Sequence, residues 1–256
     1  MAAQESALAR LAGSDLGWIS VSSKSSPCYP KMNSKLATHR FGAFGLLDLL
    51  ILIGTAALVV LVLLPMLAKS RARSSRISCV NNLKQVGLSF RIWADDNGGN
   101  FPMHVSTNAG GSREWVAVGA VAPHFAVMSN ELATPRILVC PEDARRQAAT
   151  NFAALRASQI SYFVVPEANE ALDGLWLAGD RNLSTNGKAL SAGTFTAATN
   201  TGLAWLRQPH RHGGNLAFAD GRVQQVFNPG LPAALVASLS AHPAVLTNAT
   251  FRILLP

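Results

Sequence analysis

None of the short signatures of common hydrolase or nucleotide chemistry occurs in this chain: it has no G-x-S-x-G, no H-E-x-x-H and no glycine-rich phosphate loop. Serine, histidine and aspartate are scattered along its 256 residues, as in any protein of that size. No enzyme and no cofactor is therefore expected. Acidic residues are missing from positions 69–91, which carry six Lys/Arg, whereas 92–256 carry eleven residues of each sign and 1–43 carry five Lys/Arg against two acids. The net charge of +8 thus resides in the N-terminal segment and in a collar at 69–91. A collar of this kind beside an apolar run suits the anionic headgroups of a membrane. The remainder is neutral and has no basic stripe interleaved with aromatics, which argues against a nucleic-acid partner. Cysteine is scarce, with only Cys28, Cys79 and Cys140.

What the chain does contain is one long apolar run at 44–68 (FGLLDLLILIGTAALVVLVLLPMLA), preceded by Lys31, Lys35 and Arg40 and interrupted by one acid, Asp48. As a helix it would extend roughly 37 Å at 1.5 Å per residue, enough to cross a hydrocarbon core of about 30 Å. A secretory signal peptide has a shorter apolar region of about 7–15 residues followed by small residues at a cleavage site. This run is longer and ends in Pro-Met-Leu-Ala-Lys. A carboxylate inside a membrane helix costs about 2.5–3.5 kcal/mol on insertion scales and is seldom kept without a partner or a function. Basic residues flank both ends, so the positive-inside rule does not orient the span. Residues 1–43 lack sustained apolar periodicity and read as a leader.

A basic stretch, then Ala43-Phe44, then an acid at the fifth position of the apolar run resembles the N-terminus of type IV pilins and type II secretion pseudopilins. The resemblance implies that a prepilin peptidase cuts just before Phe44 and methylates the new amine, and that Asp48 pairs with a neighbouring subunit's terminal amine during assembly. It also implies a cytoplasmic leader and an exported, periplasmic head anchored by a single pass through the inner membrane. Ala43 stands where the family most often has Gly, and Asp48 where it most often has Glu. Met32 would open the shorter leader MNSKLATHRFGA that the family usually shows, and is a candidate start. A proline at the distance of Pro65 is familiar in type IV pilins; inside a helix it removes one hydrogen bond and is expected to kink it.

Beyond the run, Ile77, Val80, Leu83, Val86, Phe90 and Trp93 recur at steps of three and four, which predicts an amphipathic helix. Asp95-Asp96-Asn97-Gly98-Gly99 is its stop signal. Together these make one helix over 44–96, membrane-spanning at 44–68, with a head over 97–256. ADDNGGN lacks the register of a calcium loop and reads as a helix terminator. In the head, strand-like runs fall at 160–165, 175–178 and 216–227. Asp220-Gly221 predicts a two-residue type I′ hairpin turn that sets Phe218 opposite Val223 and Ala219 opposite Arg222. GDRN at 179–182 reads as a loop salt bridge or turn, or else as a surface for another subunit.

His210, nine intervening residues and then Asp220-Gly221, in HRHGGNLAFADGRVQQVF, resemble a C-terminal signature that accompanies pilin-type N-termini, the prepilin-type processing-associated domain. Its positions here are His210, His212, Gly213, Gly214, Asp220 and Gly221. Three other patches fit the same family: SCVNNLKQVGLSFRIWADDNGGNFP at 78–102, CPED at 140–143, and ISYFV with LAGDRN at 160–164 and 177–182. The family usually has His after the turn glycine, where this chain has Arg222, so no role of that His is carried over. His210, His212 and Asp220 could share a cation, but a hairpin with Asp220 at its tip places both histidines a strand's length away, and no metal is expected. An exported head would place Cys79 and Cys140 in an oxidising compartment. We expect them to be joined, the alternative being two unpaired buried thiols.

The expected fold is α+β, a long N-terminal helix whose second half packs on a small antiparallel sheet. The expected function is that of a pilin- or pseudopilin-like structural subunit, partnered by prepilin peptidase, inner-membrane lipid, and copies of itself and related subunits in a secretion or pilus-like filament. The alternative is a membrane-tethered envelope protein whose head binds a glycan or other envelope component without polymerising.

Overall fold

The computed structural model describes residues 45–243, 246 and 249–256, so the leader with Ala43 and Phe44 lies outside the described residues. The chain divides into two units, residues 1–53 and 54–256. In the described part of the first, the Gly45 N–H donates to the Asp48 carboxylate at 3.2 Å. The acid thus sits in the first turn of helix α1 (Leu46–Asp96), where a carboxylate meets N–H groups that have no partner within the helix. Pro65 does not end α1. The apolar side chains at 46–67 are exposed, and among the described residues α1 is the one helix long and apolar enough to cross a membrane.

The far end of α1 stops where the Asp-Asp-Asn-Gly-Gly stretch predicts. The N–H groups of Asn97 and Gly99 both donate to the Ala94 carbonyl, at 2.9 and 2.8 Å, and Gly98 and Gly99 take positive φ. The buried stripe of α1 is Cys79, Leu83, Val86, Phe90 and Ala94, with Trp93 at its margin. This corrects the predicted face at its start. Ile77 is 53% exposed and Val80 half-buried, because a step of three and then one of four back from Val86 reach Leu83 and Cys79 rather than positions 80 and 77.

The head is α+β. After the short helices α2 (Glu114–Ala117), α3 (Ala122–Ala126) and α4 (Ser129–Leu132) the described residues form nine strands: β1 (Tyr162–Val164), β2 (Trp176–Asp180), β3 (Leu183–Thr185), β4 (Lys188–Ala189), β5 (Gly193–Ala198), β6 (Leu203–Trp205), β7 (Gly213–Phe218), β8 (Val223–Phe227) and β9 (Thr250–Leu255), with α5 (Leu231–Ala241) before the last. They form a six-stranded sheet in the order β5-β9-β1-β2-β7-β8 and a three-stranded sheet β4-β3-β6. Every described pairing is antiparallel.

At β7 the sheet is buried on both faces, since all six of its residues are buried. A Cβ added at Gly87 of α1 would come within 4.0 Å of the Ala217 side chain, so α1 covers that face. On the opposite face, one at Gly214 would lie 2.6 Å from the Trp205 ring, and only glycine lets β6 approach so closely. Phe90 packs edge-on against Phe101 and Phe125, with centroids 5.7 and 6.0 Å away. Trp176 packs on Phe251 at 5.4 Å. A disulfide joins Cys79 of α1 to Cys140, with Cα atoms 4.9 Å apart and a sequence separation of 61.

The 216–227 segment is a hairpin, but its register differs from the predicted one by one residue. Ala217 stands opposite Val223 and Leu216 opposite Gln224. The Phe218 N–H donates to Arg222 O and the Gly221 N–H to Phe218 O. The loop is therefore three residues, Ala219, Asp220 and Gly221, and Gly221 alone has positive φ (86°). This is the loop in which a turn is followed by a left-handed glycine, not a type I′ turn. The shift pairs Val223 with Ala217, whose side chain faces α1 at Gly87, in place of Phe218.

Candidate functional site

Five separated stretches meet at one end of the β2–β7 pair: Cys79 on α1, CPED after α4, Ser161 before β1, the Asp180-Arg181-Asn182 end of β2, and His210 ahead of β7. The register Gly179↔Leu216 sets Asp180 beside Asn215. Asp180 Oδ2 accepts from the Asn215 backbone N–H at 2.7 Å and its side-chain amide at 2.8 Å. Gly179 is needed because a Cβ there would enter the Phe163 ring at 2.6 Å. Asn182 donates to the Gly213 carbonyl at 3.1 Å, tying β7 to the end of β2.

His210 is 1% exposed. Its Nδ1 is 2.8 Å from Glu142 Oε2, and its Nε2 is 3.2 Å from Asp180 Oδ2 and 3.3 Å from Cys140 Sγ. Burial opposes charge on the ring, but the carboxylates of Asp180 and Glu142 outweigh it and hold the imidazole above its ordinary pKa. Glu142 also faces Arg76 of α1 at 3.7 Å. The neighbouring Asp143 accepts from Ser161 Oγ at 3.0 Å and takes Arg181 in a two-point grip at 2.8 and 3.0 Å. Burial alone would raise Asp143, but the Arg181 guanidinium and the Ser161 hydroxyl bring its carboxyl below the usual range. A cleft of about 100 Å³, lined in part by Asp143, Ser161, Asp180, Arg181, Asn182 and Pro209, opens beside this network. That is room for water or a small ion. Asp180 Oδ1, Asn182 Oδ1 and Asn215 Oδ1 are buried there without hydrogen-bond partners.

The predicted residues divide sharply. His210 lies at the centre of the cluster, while His212 is exposed with φ 64° and Asp220 lies beyond the other end of β7, roughly 20 Å of strand away. Asp220 caps its own loop, accepting from the Arg222 N–H at 2.9 Å and pairing with the Arg222 side chain at 3.1 Å. It does not have positive φ, so that part of its predicted role belongs to Gly221. Gly213 and Gly214 open β7. GDRN, expected as a loop salt bridge or turn or else as a surface for another subunit, is the largely buried end of β2. Its acid and base do not pair with each other: Asp180 serves His210 and Asn215, and Arg181 serves Asp143.

Sequence reasoning missed the roles of Glu142, Asp143, Ser161, Asp180 and Asn215. A usable signal was Asn215, one amide inside the apolar run Gly-Gly-Asn-Leu-Ala-Phe, since a polar residue buried in a strand needs a partner. It also missed Ser112 and His124, both fully buried, with Oγ 2.7 Å from Nδ1. Burial pushes His124 down to about 4, so the ring is neutral and serves as a core hydrogen-bond partner. No family model, no curated protein and no solved structure matches the chain. Its function therefore has to be argued from its own residues.

Proposed function

We propose that this protein is a pilin- or pseudopilin-like structural subunit, held in the inner membrane by the apolar half of α1 and drawn from there into a helical filament. The observation that carries this reading is α1 itself: one helix with an exposed apolar stretch, a lone carboxylate in its first turn, and a second half packed into the head. Prepilin peptidase would release Phe44 as a methylated N-terminus, and the leader would stay on the cytoplasmic side. In the assembled state the Asp48 carboxylate is neutralised by a neighbour's terminal amine. A carboxylate left unpaired at that depth costs about 2.5–3.5 kcal/mol, so the stagger that pairs it is favoured over others. Each subunit repeats the same head-to-tail contact, which builds an open assembly.

Mass spectrometry of the membrane fraction is expected to find the mature chain beginning at methylated Phe44. Asp48→Ala is expected to insert normally and lose assembly, whereas Asp48→Glu retains it, as read by crosslinking and recovery of sheared filaments. A mature N-terminus near Lys69, or undiminished assembly of the Asp48→Ala variant, refutes the reading. A second reading, a tethered binding head, is favoured by the groove of about 680 Å³ between β8 and α5, floored by Phe218 with Arg222 stacked 4.0 Å above its ring. The Arg222 guanidinium over that ring and the side chains of Gln224 and Gln225 along the groove offer hydrogen-bond donors to the hydroxyls of a sugar. Glycan retention by a chain that forms no filament would select that reading.

A further inference from the structure

We propose that Cys79, Cys140 and His210 form a zinc site when the two cysteines are thiols, so that the same three side chains close the head with either a disulfide or a metal ion. The candidate ligand atoms, Cys79 Sγ, Cys140 Sγ and a ring nitrogen of His210, all lie within 4.8 Å of one another, and all three residues are buried. Cys140 Sγ and His210 Nε2 are 3.3 Å apart. Zn–S near 2.3 Å and Zn–N near 2.0 Å at a tetrahedral angle give about 3.5 Å between such ligands, so this pair already has the spacing. The sulfurs need only separate to about 3.8 Å by side-chain rotation once the S–S bond is open.

Two observations independent of the cysteines point to the same ion. Metal-bound histidines commonly give their second ring N–H to a carboxylate, which fixes the ring and strengthens the ligand; here Nδ1 faces Glu142 Oε2 at 2.8 Å and Nε2 faces Cys140 Sγ at 3.3 Å. Beside the ring stands Asp180, with Oδ2 3.2 Å from Nε2 and Oδ1 buried without a hydrogen-bond partner, so negative charge adjoins the three ligands. Two thiolates neutralise Zn²⁺, so the ion enters a closed site at little electrostatic cost. This site is distinct from the His210, His212 and Asp220 grouping that the fold separates, and it does not depend on the filament reading.

The exchange balances. A dithiol reductant gives two electrons and two protons to the Cys79–Cys140 bond, becoming a disulfide itself and leaving two protein thiols. Zn²⁺ then displaces both thiol protons, and the Nε2 proton where the ring carries one. A newly made chain in a reducing compartment starts with both thiols and needs no reductant.

The full chain in detergent micelles, reduced by a dithiol that is then removed without oxygen, provides the test. Titration with Co²⁺ is expected to load a single ion, with thiolate-to-cobalt charge-transfer bands and intense tetrahedral visible bands that Zn²⁺ abolishes. The oxidised chain should show neither. Glu142→Gln is expected to weaken zinc binding about 10–100-fold with an unchanged far-ultraviolet circular dichroism spectrum. If the reduced chain loses its fold in chelator, zinc should restore it. Absence of the thiolate bands, failure of zinc to restore a lost fold, equal bands in the oxidised chain, or unchanged affinity in both His210→Ala and Glu142→Gln overturns the proposal.

Discussion

Replacing Cys79 and Cys140 together by alanine removes the disulfide that ties α1 to the sheet-bearing part of the head. The 61-residue separation sets the magnitude. In the chain-entropy account, closing a loop of that length stabilises the fold by roughly 4 kcal/mol at 25 °C. Each substitution also deletes a buried sulfur, at about 1 kcal/mol apiece. The expected loss is about 5–6 kcal/mol, a large share of the 5–15 kcal/mol typical of a domain. With a urea dependence of about 1–3 kcal/mol per molar, the midpoint of the full chain in micelles should fall by about 2 M or more, measured in chelator so that no metal substitutes for the bond. Alkylation of the wild-type protein should label neither residue until reductant is added. A midpoint within a few tenths of a molar of wild type, or two thiols labelled freely in the folded, oxidised protein, refutes the argument.

Gly214→Ala should destabilise by about 1–3 kcal/mol in thermal unfolding, because the new methyl meets the buried Trp205 ring at 2.6 Å; a neutral effect would show that β6 can retreat. Arg181→Ala should cost about 3 kcal/mol by leaving the Asp143 carboxylate buried without its cation, whereas Asp143→Asn with Arg181→Met should recover part of it. Asp143 titrates lower folded than unfolded, so its contribution is complete above the model-peptide value of about 3.8 and is lost as pH falls through the folded value. Arg181→Ala should move this acid limb to higher pH in urea midpoints taken across the acid range, and an unmoved limb would show that Arg181 does not hold the carboxylate.

The local elements of this protein are largely legible because their causes are local. A run of apolar residues with no other use predicts α1, and an Asp-Asn-Gly-Gly stretch ends it where left-handed glycines must follow. Asp-Gly marks a hairpin. Its register was not legible, since two- and three-residue loops accept the same Asp-Gly pair. The patches CPED, ISYFV and GDRN are visible as strings, but a string does not state what its charges face. Asp180 and Arg181, adjacent in sequence, point to opposite sides of a strand and so find different partners, His210 and Asp143.

By itself, then, the sequence determined an apolar helix with one acid in its first turn, a basic collar, an α+β head and two cysteines in that head, all of which follow from residue type and spacing along one chain. Only the tertiary structure decided that Cys79, Glu142, Asp143, Asp180, His210 and Asn215 share a buried cluster, and that His212 and Asp220 stand apart from it. The reason is the antiparallel register of β2 with β7. It brings residues 35 positions apart to 2.7 Å, while the straight run of β7 keeps His210 and Asp220, with nine residues between them, at separate ends.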